Sequence, residues 1–423
     1  MLKILFFIKS YLIANLIALN TDYAIQFDAG SSGTRMYVYE YNSDFQNILN
    51  SNVTIQQIGS CKTKEKGISL IKNYLDVTRT FSICIKMAKS LIPSQKWNET
   101  YITLKATAGM RLLELSSPTI SKNVYKYIRD YFNQTGFLYL DEQQVKTISG
   151  KDEALNAWIT ANFLSNNFHK NQSGYNTKGI LDLGGASTQI AFVPLNQTIK
   201  TQEVKLFGVN YTTYSQSFLC YGIDQANLVY RKNLLKNNNL THFNISAACL
   251  PKNYEKKFIT NEILVSPCGS GSIKNETIEI KELNYTLIGS SDYELCKLEV
   301  GEIFNSQKNC QTGLDACSFK SVYFPDSSGV SFYGISVFYY TIRSANLLFN
   351  TSFNSDIEGF RNATRIMCSS SYDDLLMRNE FYKADLTDWL ASLCFQNLYI
   401  LELLAKFGIY DFNKIDFVEK VKY

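Results

Sequence analysis

The sequence predicts a mixed α/β protein built from two similar lobes. Three observations carry that prediction: a repeated strand-and-glycine-turn motif, an alternation of helix-like and strand-like stretches, and a length of 423 residues, enough for two domains of ordinary size. The repeat comes first. Tyr23 to Arg35 reads YAIQFDAGSSGTR, and Lys178 to Ile190 reads KGILDLGGASTQI. Each is a short apolar run ending in Asp and followed by a loop of small residues. Asp28, Gly30 and Thr34 recur as Asp182, Gly184 and Thr188, each pair 154 residues apart. That spacing suits two lobes that each open with a buried strand turning sharply at a Gly-rich loop.

Between the repeats, Tyr101 to Ala106 predicts a strand running into Thr107-Ala108-Gly109. Ile120, Val124, Ile128 and Phe132 recur every four residues, as one face of a helix requires. Ser149 and Asp152 make a capping-box pattern before DEALNAWITANFL, which places Glu153 in the first turn of a helix. The expected boundaries are residues 23–148 for the first lobe, 149–406 for the second, and 407–423 for a short C-terminal return segment. The polar stretch Asn237 to Asn244 reads as a surface loop.

Composition narrows the class. The chain is 45% hydrophobic and 19% charged, with a net charge of +4 and no long basic run, so a nucleic-acid partner is not expected. Residues 1–22 read as a signal peptide or an N-terminal anchor, with Lys9 interrupting the apolar run. Contact with a membrane is expected only if that segment is uncleaved. Arg343 breaks up the apolar stretch from Phe332 to Phe349, and no later segment reads as a membrane span. Ten cysteines without a CxxC pair, beside only two histidines, argue for disulfides in an oxidising compartment and against a zinc cluster. Sequons at Asn52, Asn98, Asn133, Asn171, Asn196, Asn210, Asn239, Asn244, Asn275, Asn284, Asn350 and Asn362 point the same way, although a chain rich in Asn produces some by chance. Eight of the ten cysteines fall in the second lobe, where longer stapled insertions are expected. The expected location is the secretory-pathway lumen or the outside of the cell.

The chemistry gathers at the turns. A Gly/Ser-rich loop after a strand aims backbone N–H groups at one spot and binds phosphate oxygens. One such loop is common in any sheet protein; two matching loops, each led by Asp, point to phosphate. Asp28 and Asp182 end apolar runs, where a carboxylate needs compensation. They read as anchors for Mg²⁺ or Ca²⁺ through bound waters, or else as caps of their own turns. Glu153 could take a proton from a water attacking a phosphate, or could simply favour the helix dipole. In Lys105 to Arg111, Thr107 offers a hydroxyl to a phosphate oxygen, while Arg111 is equally a structural partner of a carboxylate. The aromatics from Phe332 to Tyr340 read as core, with one free to stack on a nucleobase.

Five segments in this order, FDAGSSGTR, KATAGMRLL, ISGKDEALNAWITANFL, LDLGGASTQI and FYGISVFYY, resemble the apyrase family, the ectonucleoside triphosphate diphosphohydrolases. They span Phe27 to Tyr340, and similarity extends to CFQNLYILELL at Cys394 to Leu404. Actin, sugar kinases, heat-shock chaperones and exopolyphosphatases share only the two phosphate loops. The resemblance implies two actin-like (ribonuclease H-like) lobes with a nucleotide cleft between them. It also implies hydrolysis of the terminal phosphate of nucleoside tri- and diphosphates, with Ca²⁺ or Mg²⁺ and no covalent intermediate.

The same resemblance assigns roles residue by residue. Glu153 matches the catalytic base, Ser187 and Gln189 the positions that orient the attacking water, and Asp28 and Asp182 those that hold the metal's water shell. Ser31, Ser32, Gly33, Thr107, Gly184, Gly185 and Ala186 match the phosphate cradle. Tyr340 matches the tyrosine that stacks on the base, and Lys406 falls near an Arg on its other side. Analogy with the disulfide-rich cell-surface branch pairs Cys61–Cys84, Cys220–Cys268, Cys249–Cys296, Cys310–Cys317 and Cys368–Cys394.

Two departures stand out. Ala154 and Asn156 replace the usual Gly and aromatic after the catalytic Glu. The Trp- and Gly-containing segment with which relatives return to the first lobe has no counterpart before Tyr423. The alternative expectation is therefore a catalytically weak or inactive nucleotide-binding protein of the same fold. A kinase or exopolyphosphatase on that fold is a third, and the secretory features argue against the kinase.

Overall fold

A computed structural model describes residues 21–42, 55–64, 67–168, 176–195, 201–206, 208–238, 243–264, 266–270, 283–304 and 322–419. The chain divides into two compact units, Met1–Ser149 and Gly150–Tyr423.

The first unit runs β1 (Thr21–Gly30), β2 (Gly33–Asn42), β3 (Ile55–Lys62), α1 (Tyr74–Leu91), β4 (Tyr101–Ala106), α2 (Ala108–Ser116), α3 (Pro118–Phe132) and β5 (Val145–Thr147). Its sheet has the order β3-β2-β1-β4-β5. The first three strands form an antiparallel meander, and β4 and β5 lie parallel to β1. Alternation along β1 buries Ile25, Phe27 and Ala29. Phe27 meets Phe81 of α1 and Phe132 of α3 at ring-centroid distances of 5.1 and 5.3 Å, with T-shaped and tilted geometry. Each such ring contributes about 2–3 kcal/mol by leaving water. On α3, Val124, Ile128 and Phe132 are buried as the four-residue spacing predicts, but Ile120 is 51% exposed. It sits in the first turn, ahead of the stretch that packs on the core.

The second unit runs α4 (Gly150–Leu164), β6 (Gly179–Leu183), β7 (Ser187–Phe192), β8 (Gln202–Leu206), β9 (Val209–Leu219), α5 (Ile223–Asn237), β10 (Asn244–Ala247), β11 (Glu255–Ile259), α6 (Thr260–Leu264), α7 (Pro267–Ser270), β12 (Asn284–Gly289) and α8 (Tyr293–Glu302). It continues with β13 (Phe332–Ser336), α9 (Val337–Phe349), α10 (Ile357–Ser369), α11 (Tyr372–Phe381), α12 (Leu390–Lys406) and β14 (Ile415–Phe417). The main sheet has the order β14-β13-β6-β7-β9-β8. Leaving out β8, the series β9-β7-β6-β13-β14 repeats β3-β2-β1-β4-β5, strand directions included. A small sheet, β10-β12-β11, forms an insertion.

Phe412, Ile415 and Phe417 are buried in the second unit's core, and β14 pairs with β13 as that sheet's fifth repeated strand. The second lobe therefore extends past Lys406. Disulfides link Cys61–Cys84, Cys220–Cys268, Cys249–Cys296 and Cys368–Cys394. Cys310 and Cys317 lie outside the described residues, as do residues 239–242 of the Asn237 to Asn244 stretch. Among the described residues, no helix is long and apolar enough to cross a membrane.

Candidate active site

The two Asp-led hairpins share one register. Asp28 stands opposite Arg35 and Ala29 opposite Thr34; Asp182 stands opposite Gln189 and Leu183 opposite Thr188. The echo read in the sequence is thus an echo in three dimensions.

In the first unit, burial of Phe27 and Ala29 turns Asp28 to the opposite face of the sheet. Its carboxylate reaches solvent yet is crowded by protein. Lost hydration holds the carboxyl above the usual range, while the Arg35 guanidinium pulls it down. The N–H groups of Ser31 and Ser32 donate to no main-chain carbonyl among the described residues, as a phosphate-binding turn requires. Gly109 on α2 lets that helix approach the turn: a Cβ there would lie 3.0 Å from Cα of Ser31. Thr107 precedes α2, and its N–H donates to Ala29 O at 3.2 Å. Its hydroxyl does not cap the helix.

In the second unit, the turn Gly184–Ala186 is held by its carbonyls. Gly184 O accepts from Ile223 N at 2.9 Å, Gly185 O from Asp224 N at 2.9 Å and Gln225 N at 3.1 Å, and Ala186 O from Cys220 N at 2.9 Å. The Gly185 and Ala186 N–H groups donate to no main-chain carbonyl among the described residues. Gly222 makes this contact with α5 possible: a Cβ on it would lie 2.4 Å from the nitrogens of Ala186 and Ser187. The Cys220–Cys268 bridge staples the same segment. Thr188 Oγ1 donates to Asp182 O at 3.0 Å, whereas the buried hydroxyl of its counterpart Thr34 has no hydrogen-bond partner among the described residues.

Three of the expected catalytic residues come together here. Gln189 Nε2 lies 3.2 Å from Glu153 Oε2, 2.5 Å from Ser187 Oγ and 3.0 Å from Ser217 Oγ. Glu153 is in the first turn of α4, as the capping pattern predicts. That helix buries Ala154, Trp158, Ala161 and Asn162, while Asn156 is exposed, so neither family departure disturbs its packing. Its far end is fixed by Asn162, whose side chain donates to Lys178 O at 2.8 Å and accepts from Lys178 N at 2.9 Å. Tyr340 lies in the first turn of α9, 51% exposed, and Lys406 ends α12.

Two residues were missed in the sequence. Ser217 stands opposite Gln189 on β9, a position that only the strand register reveals. Asp224 opens α5 against the Gly184–Ala186 turn, where its own N–H bonds Gly185 O and burial holds its carboxyl above the usual range. An acidic residue in a first helical turn is too common to single out without that contact.

The sequence pattern of the GDA1/CD39 (nucleoside phosphatase) family matches residues 15–423. The chain belongs to this family. Similar members include mouse ectonucleoside triphosphate diphosphohydrolase 1, 32% identical over 420 residues that cover 95% of this chain and 78% of the relative. Human ectonucleoside triphosphate diphosphohydrolase 3 is 36% identical over 404 residues, covering 90% and 71%. A crystal structure of a nucleoside triphosphate hydrolase from Neospora caninum superposes with a TM-score of 0.69 at 15% identity, covering 99% of this chain and 93% of that one. This GDA1/CD39 protein therefore has the actin-like fold that its repeated five-strand series describes.

Proposed function

We propose that Glu153 is the general base of this enzyme, an apyrase that hydrolyses the terminal phosphate of nucleoside tri- and diphosphates. Glu153 takes a proton from a water that Ser187 and Gln189 orient for in-line attack. The hydrogen bonds from Gln189 to Glu153, Ser187 and Ser217 carry this assignment, because they gather base and water-orienting groups beside one phosphate turn. The N–H groups of Ser31 and Ser32, with Gly33 and the Thr107 hydroxyl, bind phosphate oxygens, as do the N–H groups of Gly185 and Ala186; Gly184 shapes that turn, its own N–H donating to Ser187 O at 3.0 Å. Asp28 and Asp182 are each a hard oxygen donor of the kind that holds the water shell of a Ca²⁺ or Mg²⁺ ion, and among the described residues Asp28 forms no side-chain hydrogen bond that would compete. A bound divalent ion supplies charge neutralisation on the phosphates. Tyr340 stacks on the base, with Lys406 on its other side and Asp224 beside the second turn.

The same reading places the enzyme in the secretory pathway or outside the cell, glycosylated and made with an N-terminal signal or anchor. Four disulfides support it, and so does the exposure of Asn98, Asn133, Asn210, Asn244, Asn284, Asn350 and Asn362, every sequon among the described residues. Phosphate release from ATP, ADP, UDP and GDP with Ca²⁺ or Mg²⁺ tests the assignment. Glu153→Gln should lower kcat by about 10²–10⁴ and leave nucleotide affinity intact. A variant as fast as the parent enzyme refutes the base.

A further inference from the structure

A row of charged side chains crosses the first unit's sheet. Register places Lys62 opposite Arg35, Arg35 opposite Asp28, Asp28 opposite Lys105, and Lys105 opposite Lys146. All five leave the face that does not carry Phe27, so four cations flank one carboxylate. The two on β4 and β5 are engaged. Lys105 Nζ donates to Gln143 O at 2.6 Å, and Lys146 Nζ to Gln143 Oε1 at 2.7 Å. Arg35 and Lys62 form no ion pair or side-chain hydrogen bond among the described residues. Like charges directly opposite one another on neighbouring strands destabilise the pairing, so these two are held together against their own repulsion.

Lys62 also has a direction. A lysine that merely guards an edge strand extends away from the sheet into water. Here the stem leans over the phosphate turn, with Cε 3.9 Å from where a Cβ on Gly33 would sit. The strand end is pinned in that place, because Thr63 donates both its N–H, at 3.0 Å, and its hydroxyl, at 3.2 Å, to Thr34 O.

We propose that Lys62 and Arg35 form a cationic rim on the phosphate turn that selects the more highly charged substrate, nucleoside triphosphates over diphosphates. The inference rests on the turn being phosphate-binding. Each further phosphoryl group brings about one more negative charge near two cations that form no ion pair among the described residues, an attraction felt more by the longer chain.

Steady-state kinetics on ATP and ADP tests it, with Lys62→Ala and Arg35→Gln compared to the parent enzyme and Lys146→Ala as the control. Each rim variant should lower the ATP-to-ADP ratio of kcat/KM by roughly fivefold, through KM for ATP, while the control keeps the ratio. Lys62→Arg should retain it. Calorimetric titration of the same proteins with tripolyphosphate and pyrophosphate repeats the comparison without turnover. An unchanged ratio in both assays, in proteins of parental Tm, overturns the inference. Failure of the hydrolase assignment looks different: no turnover in the parent enzyme, or a Glu153→Gln variant that is fully active, with the calorimetric ratio still deciding the rim.

Discussion

Gln189 Nε2 lies 3.2 Å from Glu153 Oε2, although the two residues belong to a strand and a helix 36 positions apart. A neutral amide that also reaches two serine hydroxyls fixes the orientation of the carboxylate without supplying a proton to it. Gln189→Leu removes all three contacts. We expect kcat to fall by about 10² with KM changed less than about threefold, because the loss falls on orientation of the water. Single-turnover phosphate release checks the split between the two constants.

The other end of the same helix offers an independent handle. Asn162 is fully buried and joins α4 to the residue before β6 through both Lys178 main-chain groups. Asn162→Ala leaves those groups without their partner and should lower stability by about 2–4 kcal/mol, measured by denaturant unfolding. Asn162→Asp retains an acceptor for Lys178 N but loses the donor, and should fall between the two.

Gly222 has no room for a side chain. Gly222→Ala places a methyl 2.4 Å from backbone atoms of the Gly185–Ser187 segment, none of which can swing aside. A loss of about 3 kcal/mol is expected, along with weaker nucleotide binding, since the turn itself must shift. Thermal unfolding with and without nucleotide reads both effects.

Glu299 on α8 predicts a pH dependence of stability. Burial raises its carboxyl to about 7, the hydrogen bond from Tyr230 pulls it down, and Glu302 and Asp292 push it further up. One of its oxygens has no hydrogen-bond partner among the described residues. A carboxyl raised in the folded state stabilises fully below its unfolded value near 4.5 and loses that contribution as pH rises through about 7. Glu299 is part-exposed and solvent screening weakens the effect, so the stability of the parent enzyme relative to Glu299→Gln should fall by about 1–2 kcal/mol between pH 4.5 and 8. A constant difference across that range refutes it.

The parts legible in the sequence were those written in local pattern. The Asp28 and Asp182 turns, the strand Tyr101–Ala106 and the helix carrying Glu153 each follow from a few neighbouring residues. The rest depends on contacts that no short window holds. Ile120 fits the helical stripe but lies outside the packed stretch, and Ser217 matters only because its strand pairs with Gln189. Strand β14 spans three residues, too few for any periodicity, and is recognised only by its partner β13.

That three-residue strand makes the tail of the polypeptide a supporting member of the catalytic domain. Val418 N–H donates to Gly334 O at 3.0 Å, just ahead of the bend from which Tyr340's helix springs. Trimming the gene before codon 412 would strip one flank of β13 of its hydrogen-bonding neighbour and uncover the aromatic rings beneath. The shortened polypeptide should then stick to copies of itself, visible as early elution in size-exclusion chromatography, even though every residue assigned to catalysis is still present.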